Sequence, residues 1–316
     1  VSILAPLVLN ARYELHLAIV LLWVFGAWTW TQAPSAEVPY LKSNQGPQIL
    51  TMLSTLMLVT VLGVHVTDSL SGEVRLLRNF YGLVKVKHYP PAGKRPSVRL
   101  LLDGRISHGF QYGEPRHREP TAYFVPGTGV GRAMNNIKSP RKVAVLGLGA
   151  GTLATYAKRG DRFTFYELNP QVVEVARSTF SFVSDSLGKI DIVVGDGRKA
   201  LDESRQTGHD MVILDAFSGD AIPAHLLTRE AMDLYWNRIK PKGLLAVNIS
   251  NRHADLARVV MGHVEQRKLH WRRVRFSAPS PMGPYLSDWM ILSRSLMYLD
   301  SIESTPDTEQ AEPVDW

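Results

Sequence analysis

Between Arg141 and Leu292 the chain repeats one pattern that leaves few folds open: a short apolar run, a polar or glycine punctuation, then a stretch with helical spacing. The runs are Lys142–Leu146, Phe163–Glu167, Ile190–Val194, Met211–Leu214 and Leu244–Ile249. Each is four to six residues long, which suits a strand buried on both faces better than a helix. Residues 152–159 and 170–180 carry helical patterns, and helical stretches fall between most of the other runs. Alternation of this kind predicts a parallel, doubly wound α/β sheet, because a parallel strand pair needs a crossover long enough to hold a helix. A last pair, Trp271–Phe276 and Trp289–Leu292, is separated by a Pro/Gly loop and predicts a terminal antiparallel hairpin.

Open sheets of this class bind ligands outside the carboxyl ends of their strands. The first run ends in Gly147-Leu148-Gly149-Ala150-Gly151-Thr152. Glycines let such a turn approach a ligand closely at a helix N-terminus. Glu167 closes the second run, twenty residues after Gly147, where a carboxylate accepts ribose hydroxyls. Asp196 follows the third run in Gly195-Asp196-Gly197, placed for an adenine amino group, and Asp215 ends the fourth. A nicotinamide enzyme shares the turn and Glu167 but has no need of Asp196 and Asp215 here. Its glycines are also spaced G-x-G-x-x-G. The set predicts an adenosyl-sulfonium cosubstrate, S-adenosylmethionine or its decarboxylated form, bound by Gly147, Gly149, Ala150, Gly151, Glu167, Asp196 and Gly197.

Asp215 opens the stretch Leu214-Asp215-Ala216-Phe217-Ser218-Gly219-Asp220-Ala221-Ile222-Pro223. An acid at a strand end, a short loop with a second acid, and a Pro before a helix can close over a substrate amine. An amine must be neutral to attack, so a carboxylate at hydrogen-bond distance serves as base. Asp215 is expected in that role. Asp220 either holds a cationic neighbour or caps the next helix.

Upstream, residues 74–112 read as strands. Leu83–Lys87 and Val98–Leu102 alternate, Asp103-Gly104 is a turn, and Pro90-Pro91-Ala92-Gly93 is a loop. They predict a β-hairpin module within residues 73–125, ahead of a catalytic domain over 126–299. His108 and Gln111 follow the second hairpin strand, and His225 follows the Asp215 loop. Each histidine is either a substrate contact or structural. Trp289, after the loop Pro279–Ser287, either closes an acceptor pocket or packs within its strand.

Residues 15–30 and 49–66 are almost wholly apolar, with Trp23, Trp28 and Trp30 crowding one end of the first. Their 16 and 18 residues lie at the short edge of what spans a bilayer. As a pair flanking a polar, Pro-containing connector (31–48), they predict two transmembrane helices within residues 1–72; the other reading is a pair of buried core helices. Between Glu73 and Lys142 stand fourteen Lys/Arg and four acids. Basic flanks stay cytoplasmic, so a lipid bilayer is the expected partner and the catalytic domain is expected to face the cytoplasm. The basic stretch lacks the aromatic interleaving of a stacking surface, so no nucleic acid is expected. The absence of cysteine removes disulfides, thiolate metal sites and cysteine nucleophiles. Residues 300–316 hold six acids and no Lys or Arg, and are expected to be a disordered tail. The chain begins with Val, which suggests a missing upstream membrane portion.

With these residues in view, the chain resembles the spermidine synthase (polyamine aminopropyltransferase) family. It looks most like the bacterial branch fused behind membrane spans, the fused transporter/spermidine synthase type. The motifs that carry the resemblance are Asn79-Phe80-Tyr81-Gly82, Leu102-Asp103-Gly104, the Gly147–Thr152 turn, Tyr166-Glu167, Gly195-Asp196-Gly197 and the Asp215 loop. The resemblance implies a Rossmann-like seven-stranded S-adenosylmethionine-dependent transferase fold, preceded by two inner-membrane helices. It implies transfer of an aminopropyl group from decarboxylated S-adenosylmethionine to an amine of putrescine type, with release of methylthioadenosine. Asp215 becomes the base, Glu167 the ribose contact and Asp196 the adenine contact, while Tyr81 and Tyr123 border the acceptor pocket. No metal is implied, and a homo-oligomer is. The sequence departs from the family at three places. Ala150 stands where the family has an Asp, Phe124 where it has a His, and Asp220 lies five rather than three residues after Asp215. The departures keep an N-methyltransferase on the same scaffold, or a non-catalytic adenosyl- or polyamine-binding module, open as alternatives.

Overall fold

The computed structural model describes residues 14–32, 46–69, 73–93, 95–103, 106–217, 222–251, 254–277 and 285–304. Gly104, Asp220 and the tail from 305 to 316 lie outside the described residues. The chain divides into two compact units, Val1–Leu83 and Val84–Trp316.

In the first unit both apolar runs are helical, as α1 (Glu14–Gln32) and α2 (Gly46–Ser69), followed by strand β1 (Glu73–Asn79). The Trp23 indole N–H donates to Ser54 Oγ at 3.3 Å and joins the two helices. Thr55 and Thr60 fold their hydroxyls back on the carbonyls of Thr51 and Leu56, which satisfies them on an apolar helix surface. Leu21, Leu22, Phe25, Met52, Leu56 and Met57 are all more than half exposed, so these are not core helices. The expectation of two transmembrane helices is also corrected. No helix among the described residues is long and apolar enough to cross a membrane. The helices have 19 and 24 residues, but their apolar stretches of 16 and 18 reach only about 24 and 27 Å at about 1.5 Å per residue, short of a hydrocarbon core roughly 30 Å thick.

The expected hairpin module is a four-stranded antiparallel sheet of order β1-β2-β3-β4, with β2 (Gly82–Tyr89), β3 (Val98–Asp103) and β4 (Ile106–Tyr112). Val98, Leu100 and Phe110 turn inward and pack with Ala122.

The second sheet has seven strands: β5 (Lys142–Leu146), β6 (Arg162–Glu167), β7 (Lys189–Val194), β8 (His209–Leu214), β9 (Ile239–Asn248), β10 (His270–Phe276) and β11 (Ser287–Ser293). Their order is β10-β11-β9-β8-β5-β6-β7. β5 to β9 are parallel, and β11 runs antiparallel to both neighbours. Period-two alternation divides the buried residues between two cores. Val143, Val145, Met211, Ile213 and Ala246 point to one face, where they meet α3 (Gly129–Asn136) and α4 (Pro170–Ser178). Ala144, Leu146, Val212, Leu214 and Val247 point to the other, where they meet α5 (Gly197–Glu203), α6 (Arg229–Arg238) and α7 (Leu256–Arg267). Thr128, Asn169, Asp196, Thr228 and Asp255 cap these helices through their side chains, each satisfying an N–H that the helix cannot.

Two expectations need correction. The helix expected over 152–159 is a 3-10 turn of five residues, Thr152–Tyr156. The Tyr156 carbonyl that would continue it accepts from Arg141 instead. The tail is packed at its start, since Ile302 is buried in the core and Arg132 holds the Glu303 carbonyl at 3.0 Å.

Arg141 is itself 3% exposed. It pairs with Asp161 at 2.9 Å and donates to the carbonyls of Met134, Ile137 and Tyr156. Asp161 also accepts the N–H groups of Arg141 and Lys158. The pair thus locks the starts of β5 and β6 to the segments beside them. Asp161→Ala would strand a buried guanidinium without its counter-charge. It is expected to cost about 3–5 kcal/mol, read as a fall in the denaturant midpoint.

Candidate active site

Leu146 is register partner to Tyr166 on one side and to Leu214 on the other. That pairing brings positions 147, 167 and 215 together at the carboxyl edge of the sheet. The chain must turn at once after β5. Gly147 sits at φ +102°, and a Cβ there would lie 2.4 Å from the Asp215 carbonyl oxygen. Gly149 sits at φ +53°, where a Cβ would lie 2.6 Å from the His108 carbonyl. The glycines expected for ligand approach are therefore also required by the backbone around them. The Ala150 N–H donates to the His108 carbonyl at 3.1 Å. Its side chain is 1% exposed and faces Gly109, where an added Cβ would come within 3.0 Å of it. Position 150 is thus crowded by β4, which accounts for a small residue there. Gly151 completes the turn at φ +86°.

Glu167 accepts the Leu148 N–H at 3.0 Å and the Asn169 N–H at 2.9 Å. It clasps the glycine turn while its oxygens keep further lone pairs for a ligand. Burial pushes its carboxyl up, and N–H donors from Asn169, Leu148, Leu168 and Gly149 pull it back. Gly197 opens α5 with no room for a side chain, since a Cβ would meet Leu146 Cγ at 2.9 Å. Asp196 caps α5 through Lys199 N–H at 2.9 Å, and its other oxygen meets His225 Nε2 at 2.9 Å. Burial works against the Asp196 charge, but the Lys199 N–H and His225 hold its pKa below the ordinary value. His225 is thus placed on Asp196, a pairing the sequence left open.

Asp215 is partly buried, and its Oδ1 accepts from Asn248 Nδ2 at 2.7 Å. Burial pushes its pKa up to about 7. The Asn248 hydrogen bond opposes that shift and the Glu167 charge adds to it. The Tyr123 hydroxyl is pushed well up by its own burial, then by the Asp215 charge, then by Tyr285. Tyr123 and Tyr285 have ring centroids 6.4 Å apart. His108 Nε2 is buried with no partner among the described residues, and burial lowers that imidazole's pKa.

Other expected site residues are committed elsewhere. Gln111 uses its amide on the His117 carbonyl (2.8 Å), Ser181 Oγ (2.9 Å) and Ser181 N–H (3.0 Å), so it fastens structure rather than facing a substrate. Trp289 is 0% exposed and packs on Phe124 with centroids 6.4 Å apart, which matches packing within its strand, the second of its two expected places. Tyr81 belongs to the first unit, is 48% exposed and stacks edge-on with Phe80. Sequence reasoning missed Asn248 and Tyr285. Asn248 had a visible signal, because it is the polar residue closing the fifth strand; Tyr285 had none.

No protein-family model matches the chain. It is 26% identical over 143 residues to the polyamine aminopropyltransferase of Vibrio vulnificus, covering 44% of this chain and 46% of that protein. It is likewise 26% identical over 144 residues to the eEF1A lysine and N-terminal methyltransferase of Danio rerio, covering 42% and 21%. The matches therefore span less than half the length of these curated relatives. In fold it is similar to the spermidine synthase of Thermotoga maritima, with a TM-score of 0.51 at 16% identity over 77% of this chain and 81% of that one. A spermidine synthase in complex with the transition-state analogue AdoDATO gives 0.52 at 16% identity, over 77% and 82%. The chain therefore shares its overall α/β fold with these spermidine synthases, and carries a four-stranded antiparallel sheet ahead of the seven-stranded one.

A carboxyl raised to about 7 keeps a proton in the folded state that the unfolded chain has already released. Stability is therefore present in full below about pH 4 and falls as pH rises toward 7. Asp215→Asn removes this loss. It is expected to stabilise the ligand-free protein by about 4 kcal/mol at pH 8 and to match the parent near pH 4, measured by unfolding at both pH values.

Proposed function

We propose that the chain is a transferase of spermidine synthase type. It moves the aminopropyl group of decarboxylated S-adenosylmethionine to an amine acceptor of putrescine type. The observation that carries the reading is Asp215, a carboxyl with a pKa of about 7, set beside Glu167 and the glycine turn at the ligand-binding edge of the sheet. The acceptor nitrogen attacks the aminopropyl carbon bound to sulfur, and the C–S bond breaks. Its electron pair goes to sulfur, leaving neutral methylthioadenosine. Asp215 takes the proton that nitrogen sheds, and a base poised near neutrality is matched to that task. The sulfonium is a good leaving group, so most of the remaining work is holding donor and acceptor in line. In this reading Glu167 takes the ribose, Asp196 the adenine amino group, and Tyr123 with His108 the space beside the acceptor.

Ala150 favours a second reading. A donor ammonium buried without a carboxylate partner is costly, and position 150 supplies none. Methyl transfer from ordinary S-adenosylmethionine would use the same adenosine site, and that donor's own α-carboxylate gives its ammonium a counter-charge that the decarboxylated donor lacks. Incubation with each donor and a panel of amines separates the two. Methylthioadenosine from the decarboxylated donor is expected, with an acid limb in kcat/KM near pH 7 and a loss of about 10²–10⁴-fold in Asp215→Asn. S-adenosylhomocysteine from the ordinary donor would establish the second reading. Tight adenosyl binding without turnover, unchanged in Asp215→Asn, would leave a non-catalytic module.

We also propose that α1 and α2 hold the protein to a lipid bilayer through their exposed apolar side chains. The exposed Leu21, Leu22, Phe25, Met52, Leu56 and Met57 support this, because apolar surface on this scale needs a cover. The protein is expected to sediment with membranes after lysis, to resist extraction by high salt and to be released by detergent. Recovery in the salt-washed supernatant would contradict it.

A further inference from the structure

β9 ends on Asn248, which is 2% exposed. An amide has a donor end and an acceptor end, and both are engaged here. Nδ2 donates to Asp215 Oδ1 at 2.7 Å. Oδ1 accepts from Ser250 N–H at 3.1 Å and from the Ser250 hydroxyl at 2.7 Å. The Ser250 hydroxyl in turn accepts the Asp288 N–H at 2.9 Å, which directs its own proton toward Asn248. Asp288 is fixed by its carbonyl, which accepts the Ile249 N–H at 2.9 Å, and by Arg273, which grips its carboxylate at 2.7 and 3.0 Å.

We propose that Asn248 is the positioning residue for Asp215, and that Ser250 fixes the sense in which the Asn248 amide faces it. The proposal rests on the reading of Asp215 as proton acceptor. Turning the amide over would set its NH2 against two Ser250 donors and its carbonyl against a carboxylate oxygen, so only one orientation satisfies both ends. Asp215 Oδ1 is then permanently hydrogen-bonded, and Oδ2 is the oxygen offered to the attacking nitrogen. Among the described residues, the ionisable groups that act on Asp215 are Glu167, whose charge opposes ionisation, and Tyr123, whose own ionisation Asp215 opposes. Neither stabilises the carboxylate, so the Asn248 donor is the counterweight that keeps it available near neutral pH.

The test is the titration of the Asp215 carboxyl in the full-length, ligand-free protein, followed by carbon NMR with Asp215→Asn supplying the assignment. Asn248→Leu is expected to move the midpoint up by about one pH unit or more. The acid limb of kcat/KM should move by the same amount, with kcat falling and the donor KM little changed. Ser250→Ala should shift both in the same direction but less, and Ser250→Thr, which keeps the hydroxyl, should restore the parent values. Should Asn248→Leu fail to fold, Asn248→Ser carries the same test, because its side chain is too short to reach Asp215. A folded Asn248 variant in which Asp215 titrates as in the parent overturns the proposal. A shifted titration with no turnover on any donor and amine upholds the positioning role while removing the functional reading beneath it.

Discussion

Leu146 lies between Tyr166 and Leu214 in one parallel register, and the geometry of the candidate site depends on that pairing. Parallel strands deliver their carboxyl ends to the same edge, so the residues just past β5, β6 and β8 become neighbours although they lie far apart in the chain. The approach is close enough that Gly147 has no space for a side chain against the Asp215 carbonyl. A slip of one residue would turn every core side chain of these strands to the wrong face. Burial on both faces of the sheet therefore protects the alignment of the site.

Two carboxylates share this edge under different supports. Glu167 is held by backbone N–H groups of the turn it faces, which ties its position to the glycine loop. Among the described residues Asp215 has a single side-chain donor, Asn248, and its burial is not fully offset, so its pKa rises to about 7. A carboxyl that is poorly supported costs stability in the resting protein, and it is also the one able to accept a proton near neutral pH. This is the usual relation between local instability and function at such sites. Asp196 differs again, because a helix cap and His225 already occupy it, so a ligand amino group would have to share or displace that contact.

Much of this arrangement was legible in the sequence for a local reason. Four- to six-residue apolar runs with polar closures identify strands and their ends without reference to anything distant, and Gly147, Glu167, Asp196 and Asp215 follow from them. Residues whose roles depend on packing were read less well. Trp289 resembles a pocket aromatic in sequence, but the core of the seven-stranded sheet encloses it completely. Gln111 looks available until Ser181, seventy residues away, takes its amide. The helix expected after the glycine turn stops early because Arg141 takes the carbonyl that would continue it.

Sequence by itself determined the class of sheet, the edge at which a ligand would sit and the identity of the acids there, because strand period and strand-end chemistry are local properties. Tertiary structure alone decided which groups those acids are bonded to. It placed Asn248 on Asp215, His225 on Asp196 and β4 against Ala150, and it left the apolar side chains of α1 and α2 exposed. These outcomes depend on which distant groups come within hydrogen-bond reach, and residue spacing along the chain does not carry that information.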